Sequence, residues 1–349
     1  MKSFSKVKPM TITLPASRVA LVAMLGCLLT AGLTSTALAQ GGSGQPNVSA
    51  EEQSLVKSIM AAPDAAAKLK AAAELIKKHP KTGLRPRVAS NLAGEIGRVA
   101  DASQKISLAQ EYQKIFTEPS EQDLILPVLI DGYGDANRPD EAFSTAATLL
   151  ARQPDSVRTL VRLTQIGTEQ AKKRNGKFVA DSLKYGAKAI ELIEVNKKPA
   201  DMDDAGWDQF KAVLPGLYQS MGILRVVSGD HAGAKASLLK AAELAPNDAF
   251  NYLLLAGILN DEYQNEAKVY QGMPDGQAKR DALPKIMAML DAVIDSYAHM
   301  IALSEGNAPL QTMRQQYLQD IEAYYKYRHN NSTAGMQQLI DKYKVPAKP

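Results

Sequence analysis

Apolar side chains recur every three or four positions along most of the chain, and short polar segments interrupt them. Such spacing places apolar residues on one face of an α-helix. The interruptions include "KKHPKTG", "ANRPDE", "SGDHAG" and "APNDA", and their Gly and Pro residues end helices or begin turns. About fourteen helical stretches are predicted, and no segment alternates at period two as a half-buried strand would. The pattern predicts an all-α fold.

Two pairs of polar residues predict where helices begin. Ser49 with Glu52, and Ser120 with Asp123, have the spacing of a capping box, in which each side chain satisfies a backbone N–H group of the first turn. We therefore expect one helix to begin just after Ser49 and another just after Ser120.

The helical pattern repeats at an interval of 34 residues. The first set of residues recurs as the second set in each of these cases: Tyr218, Met221, Gly222 as Tyr252, Leu255, Ala256; Leu126, Leu129 as Leu160, Leu163. Two segments also share spacings of 16 and then 12 residues: Leu126, Ala142, Pro154 and Tyr218, Ala234, Pro246. A joint match over several positions indicates a true internal repeat.

The segment "LYQSMGILRVVSGDHAGAKASLLKAAELAP" resembles the tetratricopeptide repeat (TPR), a 34-residue helix–turn–helix unit. The matching residues, in the family's order, are Tyr218, Met221, Gly222, Ala234, Leu238 and Pro246. Arg225 departs from the Tyr that the family places there. The small side chains of Gly222 and Ala234 are expected at a close crossing of the paired helices.

The resemblance implies an all-α, right-handed α-solenoid of antiparallel helix pairs. We expect TPR-like repeats over residues 51–274 and capping helices over 275–345, where long helices lack the signature. Atypical terminal helices are expected in such an array, because a terminal unit covers the last apolar face.

Residues 1–39 have the features of a signal peptide. A basic start precedes the 15-residue apolar run Val19 to Leu33, and small residues follow at Ala37 and Ala39. This order predicts export to the periplasm or beyond, with cleavage after Ala39. The run is shorter than the roughly 20 residues that span a bilayer, so a retained anchor is the weaker interpretation. Residues 40–50 form a flexible Gly- and Ser-rich linker.

Cys27 leaves a second interpretation of the leader open. "MLGC" resembles the lipoprotein box of bacteria, in which the Cys would carry a lipid anchor. Met24 stands where Leu is usual, and the apolar run continues past Cys27. We therefore favour cleavage after Ala39, which leaves a mature chain without cysteine.

The charge of the mature chain is close to zero. The leader holds four of the 41 basic residues and none of the 37 acidic ones. A balance of this kind gives no electrostatic reason to expect a nucleic-acid partner, and we expect no integral membrane span after the leader.

The sequence contains no recognisable catalytic motif. The four histidines have no metal-ligand spacing, and neither a nucleophile elbow nor a phosphate-binding loop is found. We expect no cofactor, no metal and no catalytic activity. The acidic segment "DGYGDANRPDE" departs from the calcium-loop pattern, so a solvated turn is expected there. An exported helical-toroid enzyme, a lyase or hydrolase, remains the alternative.

The aromatic stretch "YLQDIEAYYKYRHN" has two interpretations. Tyr317, Ile321 and Tyr324 share one helical face, with Tyr325 and Arg328 beside it. They form either the packing stripe of a capping helix or an exposed patch that binds a partner. We favour the packing stripe.

The resemblance implies that the chain binds proteins or extended peptides in a groove lined by the first helices of the repeats. The repeat register places these residues in that predicted groove: Asp131, Gln165, Gln219, Leu253 and Asn260. The Lys and Asn clamp of the family's chaperone-binding members is missing at these positions. We expect a non-catalytic scaffold that binds protein or peptide partners in the cell envelope.

Overall fold

The computed structural model describes residues 48–200 and 202–344, which form fifteen α-helices and no strand. The helices are α1 Ala50–Ala61, α2 Ala65–Lys78, α3 Arg85–Gly97, α4 Ala102–Ile115, α5 Pro119–Asp135, α6 Pro139–Arg152, α7 Val157–Lys172, α8 Val179–Glu194, α9 Asp204–Lys211, α10 Leu214–Ser228, α11 His231–Leu244, α12 Ala249–Gly272, α13 Gln277–Leu303, α14 Gln311–Arg328 and α15 Met336–Asp341. The all-α prediction is confirmed. The predicted leader, residues 1–39 with Cys27, lies outside the described residues.

One of the two predicted helix starts is confirmed and the other is wrong. Ser49 Oγ accepts a hydrogen bond from the Glu52 backbone N–H at 3.2 Å, and the Glu52 carboxylate accepts one from the Ser49 N–H at 2.8 Å. Helix α5 instead begins at Pro119, before Ser120. Proline suits the first helical position because its φ is preset and it has no N–H to satisfy.

The contacts divide the described residues into two units, 48–166 and 167–344, with the division inside α7. In the first unit, α3 packs on α5 and α2 packs on α4, while α2 and α6 pack on the helices that precede them. Short turns join these pairs, so the two helices of a pair must run antiparallel. Helices α1, α3 and α5 begin 35 and then 34 residues apart, which agrees with the repeat length.

The second unit begins with the pair α10 and α11 and ends in longer helices. Helix α12 has 24 residues, α13 has 27 and α14 has 18, and α13 packs against α12, α14 and α15. Among the described residues, α13 alone is long and apolar enough to cross a bilayer by length and composition. In this structure 56% of its most apolar stretch is buried, as in the core helix of a packed bundle.

The residues that define the repeat are buried in both of its copies. Leu129 is 3% exposed and Leu163, 34 residues later, is fully buried; Met221 is 2% exposed and Leu255 is 5% exposed. Ala142 and Ala234 are fully buried as well. The repeat register therefore selects the side chains that face the core of each unit.

The aromatic stripe of α14 is a packing surface. Tyr317, Ile321, Tyr324 and Tyr325 are each less than a tenth exposed and belong to the core formed by α12, α13 and α15. Arg328 donates two hydrogen bonds to the Asp291 carboxylate, at 2.7 and 3.1 Å. The favoured interpretation is confirmed, and the alternative of an exposed aromatic patch is wrong.

Candidate functional site

Four charged side chains join α4, α5 and α7 in the first unit. Arg162 lies between two carboxylates, with Nε 3.0 Å from Asp131 and Nη2 2.5 Å from Asp135. Lys105 Nζ is 3.6 Å from the second oxygen of Asp135. A Cβ added at Gly134 would lie 2.7 Å from Ile166, so this glycine allows α5 and α7 to approach closely. The cluster balances two acids with two bases.

Asp131 remains accessible within this cluster. Its side chain is 53% exposed, yet the protein atoms around it raise the pKa of its carboxyl through desolvation. The charge of Arg162 opposes that increase, and the charge of Asp135 adds to it. Water screens these effects at such exposure. A carboxylate that is surrounded by protein atoms and still half open to solvent lies on a concave part of the surface.

Gln165 follows Arg162 by one turn of α7 and is half-buried. Its amide has no hydrogen-bond partner within the part of the chain that the structure describes. Of the five residues predicted to line the groove, Asp131 and Gln165 belong to the first unit. Both offer polar atoms that solvent reaches.

Gln219 has a structural role in the second unit. Its amide donates to Asp248 at 3.1 Å and to Asn251 at 2.8 Å. Asp248 is the N-cap of α12, and Asn251 is 1% exposed. The side chain therefore ties α10 to the start of α12. The repeat register alone would leave this amide free for a ligand.

Leu253 and Asn260 are buried, which corrects the expectation that both line an accessible groove. Leu253 is 5% exposed within the core shared by α12, α13 and α14. Asn260 Oδ1 accepts a hydrogen bond at 2.7 Å from the Tyr324 hydroxyl, which also accepts one from Gln264 at 2.6 Å. The long C-terminal helices cover this face of α12, because its apolar residues continue around the helix.

Within the described ranges, no three His, Cys, Asp or Glu side chains are grouped so that they could hold a metal ion. The acidic segment predicted to be a solvated turn is helical through Asp135, and only residues 136–138 connect α5 to α6. Arg162 and Lys105 neutralise its first two carboxylates.

A pocket between α1, α2 and α3 was not predicted from the sequence. It has a volume of about 130 Å³, and its walls include Val56, Ile59, Val88 and Leu92. These residues read as ordinary core positions in a helical pattern. Only the packing of three helices shows that they leave a space between them.

The sequence matches no family model and no curated protein. Two solved structures are similar in part. One, from work on the functional characterisation of Pseudomonas aeruginosa PilF, is 14% identical with a TM-score of 0.38 and covers 74% of this chain and 97% of its own. The other, a tetratricopeptide repeat protein from Parabacteroides merdae, is 13% identical with a TM-score of 0.40 and covers 83% and 97%. Likenesses at this level do not indicate what the chain binds.

Proposed function

We propose that this chain is a non-catalytic, exported, TPR-like scaffold that binds protein or peptide partners in the cell envelope. The observation that supports binding is the accessibility of Asp131 and Gln165 on neighbouring first helices of one unit. The packing of α5 on α7 requires neither side chain to be fully buried. Both can form hydrogen bonds with the backbone of an extended peptide.

The energetics require several such contacts. A typical hydrogen bond contributes only about 0.5 to 1.5 kcal/mol net. A partner held by this face therefore depends on many small contributions, and the loss of one side chain would have a small effect. The export part of the proposal rests on the basic, apolar and small-residue order of residues 1–39.

Site-specific photo-crosslinking tests the binding face. A photoreactive amino acid replaces Gln165 in one variant and Asp131 in another, and both are expressed with the leader so that the full chain is processed. Glu111 provides the control position, because it is 55% exposed on the second helix α4. We expect the same partner to be crosslinked from positions 165 and 131, and none from 111.

Crosslinks from position 111 alone, or equal crosslinking from all three, would place the binding face elsewhere. Turnover of a substrate by the wild type, abolished by replacing one carboxylate or histidine, would overturn the scaffold proposal in favour of the enzyme alternative.

A further inference from the structure

The pocket between α1, α2 and α3 is walled mainly by apolar side chains. Val56 and Ile59 come from α1, and Val88 and Leu92 come from α3. Met60 also lines the pocket and is 63% exposed, although most methionines of its size pack inside. Methionine adapts its shape to what it contacts, since its unbranched side chain has three rotatable bonds. An apolar space with a mobile apolar side chain at its edge suits an apolar ligand.

The volume limits the size of that ligand. The pocket measures about 130 Å³, and an apolar cavity of about 150 Å³ is known to take up one benzene molecule. The space therefore accepts one phenyl ring or one branched aliphatic side chain, and no larger group. It is too small for a cofactor, since such sites have volumes of roughly 300 Å³ or more.

The charges at the pocket indicate what accompanies the apolar group. Lys68 Nζ donates to both oxygens of Glu95, at 2.7 and 2.8 Å, so these two charges neutralise each other. Arg87 also lines the pocket, is exposed, and forms no ion pair with any residue that the structure describes. A guanidinium group binds carboxylates through two parallel hydrogen bonds. The pocket thus has one cation available for an anion.

We propose that this pocket binds a single apolar side chain of phenyl size, carried by a partner peptide that has a carboxylate next to it for Arg87. The pocket lies outside the predicted groove residues. The proposal rests on the proposed function only in that the ligand is part of a peptide. Small probes examine the pocket with no partner present, so its failure would not affect the test at positions 131 and 165.

The probe is 3-phenylpropanoate, which has a phenyl ring and a carboxylate, compared with phenethylamine, which has a positive charge instead. Both are titrated into the full mature chain labelled at its methionine methyl groups. The signal of Met60, assigned with Met60→Leu, reports on the pocket by NMR. We expect saturable shifts with 3-phenylpropanoate at a Kd on the order of millimolar, and at least threefold weaker binding of phenethylamine.

Two pairs of variants test the assignment. Asn91→Trp places a ring at the pocket, because Asn91 is exposed and lines it, and we expect binding to be lost. Ser90→Trp is the matched control, since Ser90 is exposed on the same helix and does not line the pocket. Arg87→Gln should abolish the preference for the carboxylate, whereas Arg98→Gln should keep it.

Several outcomes would overturn the proposal. They are the absence of a saturable Met60 shift in the wild type, equal binding by Asn91→Trp and Ser90→Trp, and an unchanged preference for the carboxylate in Arg87→Gln. The circular dichroism spectrum and melting temperature of each variant show that it is folded. For a position-91 variant that fails to fold, Asn91→Phe replaces it in the same comparison.

Discussion

Gly222 of α10 faces Leu238 of α11 so closely that a Cβ added at the glycine would lie 2.7 Å from Leu238 Cγ. Leu238 is fully buried, so it has little room to move. The crossing of these two helices therefore depends on the missing side chain of Gly222. The repeat pattern predicted a small residue at this position, and the structure shows what it packs against.

Gly222→Ala should destabilise the protein by about 1 to 3 kcal/mol, because the methyl group overpacks the crossing. Gly216 in the same helix is the matched control, since a Cβ added there has no neighbour within 4 Å. Gly216→Ala should stabilise by about 0.4 to 1 kcal/mol through the unfolded state. Urea unfolding measures both. Equal effects of the two substitutions would contradict the close crossing.

Ala234→Leu should also cost about 1 to 3 kcal/mol, because Ala234 is fully buried in the cluster with Leu238 and Leu254. Ala236 is exposed on the same helix, and Ala236→Leu should change stability by less than about 0.5 kcal/mol. The comparison uses midpoints of urea unfolding. A wild-type midpoint for Ala234→Leu would show that the second helix is placed in the wrong register.

Gln219→Ala and Gln165→Ala should differ, although the repeat register treats them alike. The first removes hydrogen bonds to Asp248 and to the buried Asn251, and leaving Asn251 with one fewer partner costs about 1 to 3 kcal/mol. Gln165→Ala should stay within about 0.5 kcal/mol of the wild type. Thermal and urea unfolding distinguish them. A stable Gln219→Ala variant would mean that this amide is available to a ligand after all.

Stability should fall as the pH is lowered below about 6.5, in part because of His299. Its ring is stacked between Tyr252 and Tyr343, at centroid distances of 3.9 and 3.6 Å. Burial lowers the pKa of His299 below 6.5; Lys342 lowers it further, and Asp295 opposes the change. The unfolded chain therefore takes up the proton first as the pH falls, and folding loses free energy down to the folded pKa.

His299→Phe keeps a ring in the stack and removes the proton site. We expect its unfolding free energy to depend less on pH than that of the wild type between about pH 6.5 and 5. The exposed His329 provides the control variant, His329→Phe. Identical pH profiles for wild type and His299→Phe would exclude this contribution.

Intact-mass measurement of the secreted protein should show a chain that begins at Gln40, because the small residues Ala37 and Ala39 precede the predicted cleavage point. A product that begins at Cys27 and carries added lipid mass would establish the lipid-anchored alternative. A mass that includes residues 1–39 would indicate that the leader is retained.

The sequence by itself determined the helices and the residues that pack between paired helices. Periodicity, Pro and Gly act within a few residues, so the all-α fold could be predicted, as could the small residues Gly222 and Ala234. The start of α5 was placed one residue too late, since Ser120 and Pro119 are both acceptable beginnings and tertiary packing chooses between them.

Only the tertiary structure decided which polar residues remain free. Asp131, Gln165, Gln219 and Asn260 have equivalent places in a helical repeat, yet Gln219 is bonded to the start of α12 and Asn260 lies beneath Tyr324. These contacts join residues 29 and 64 positions apart in the chain. Local spacing fixes the face of a helix on which a side chain lies, but the side chains that cover that face come from distant segments. For the same reason the pocket at Arg87 could be recognised only after three helices were packed together.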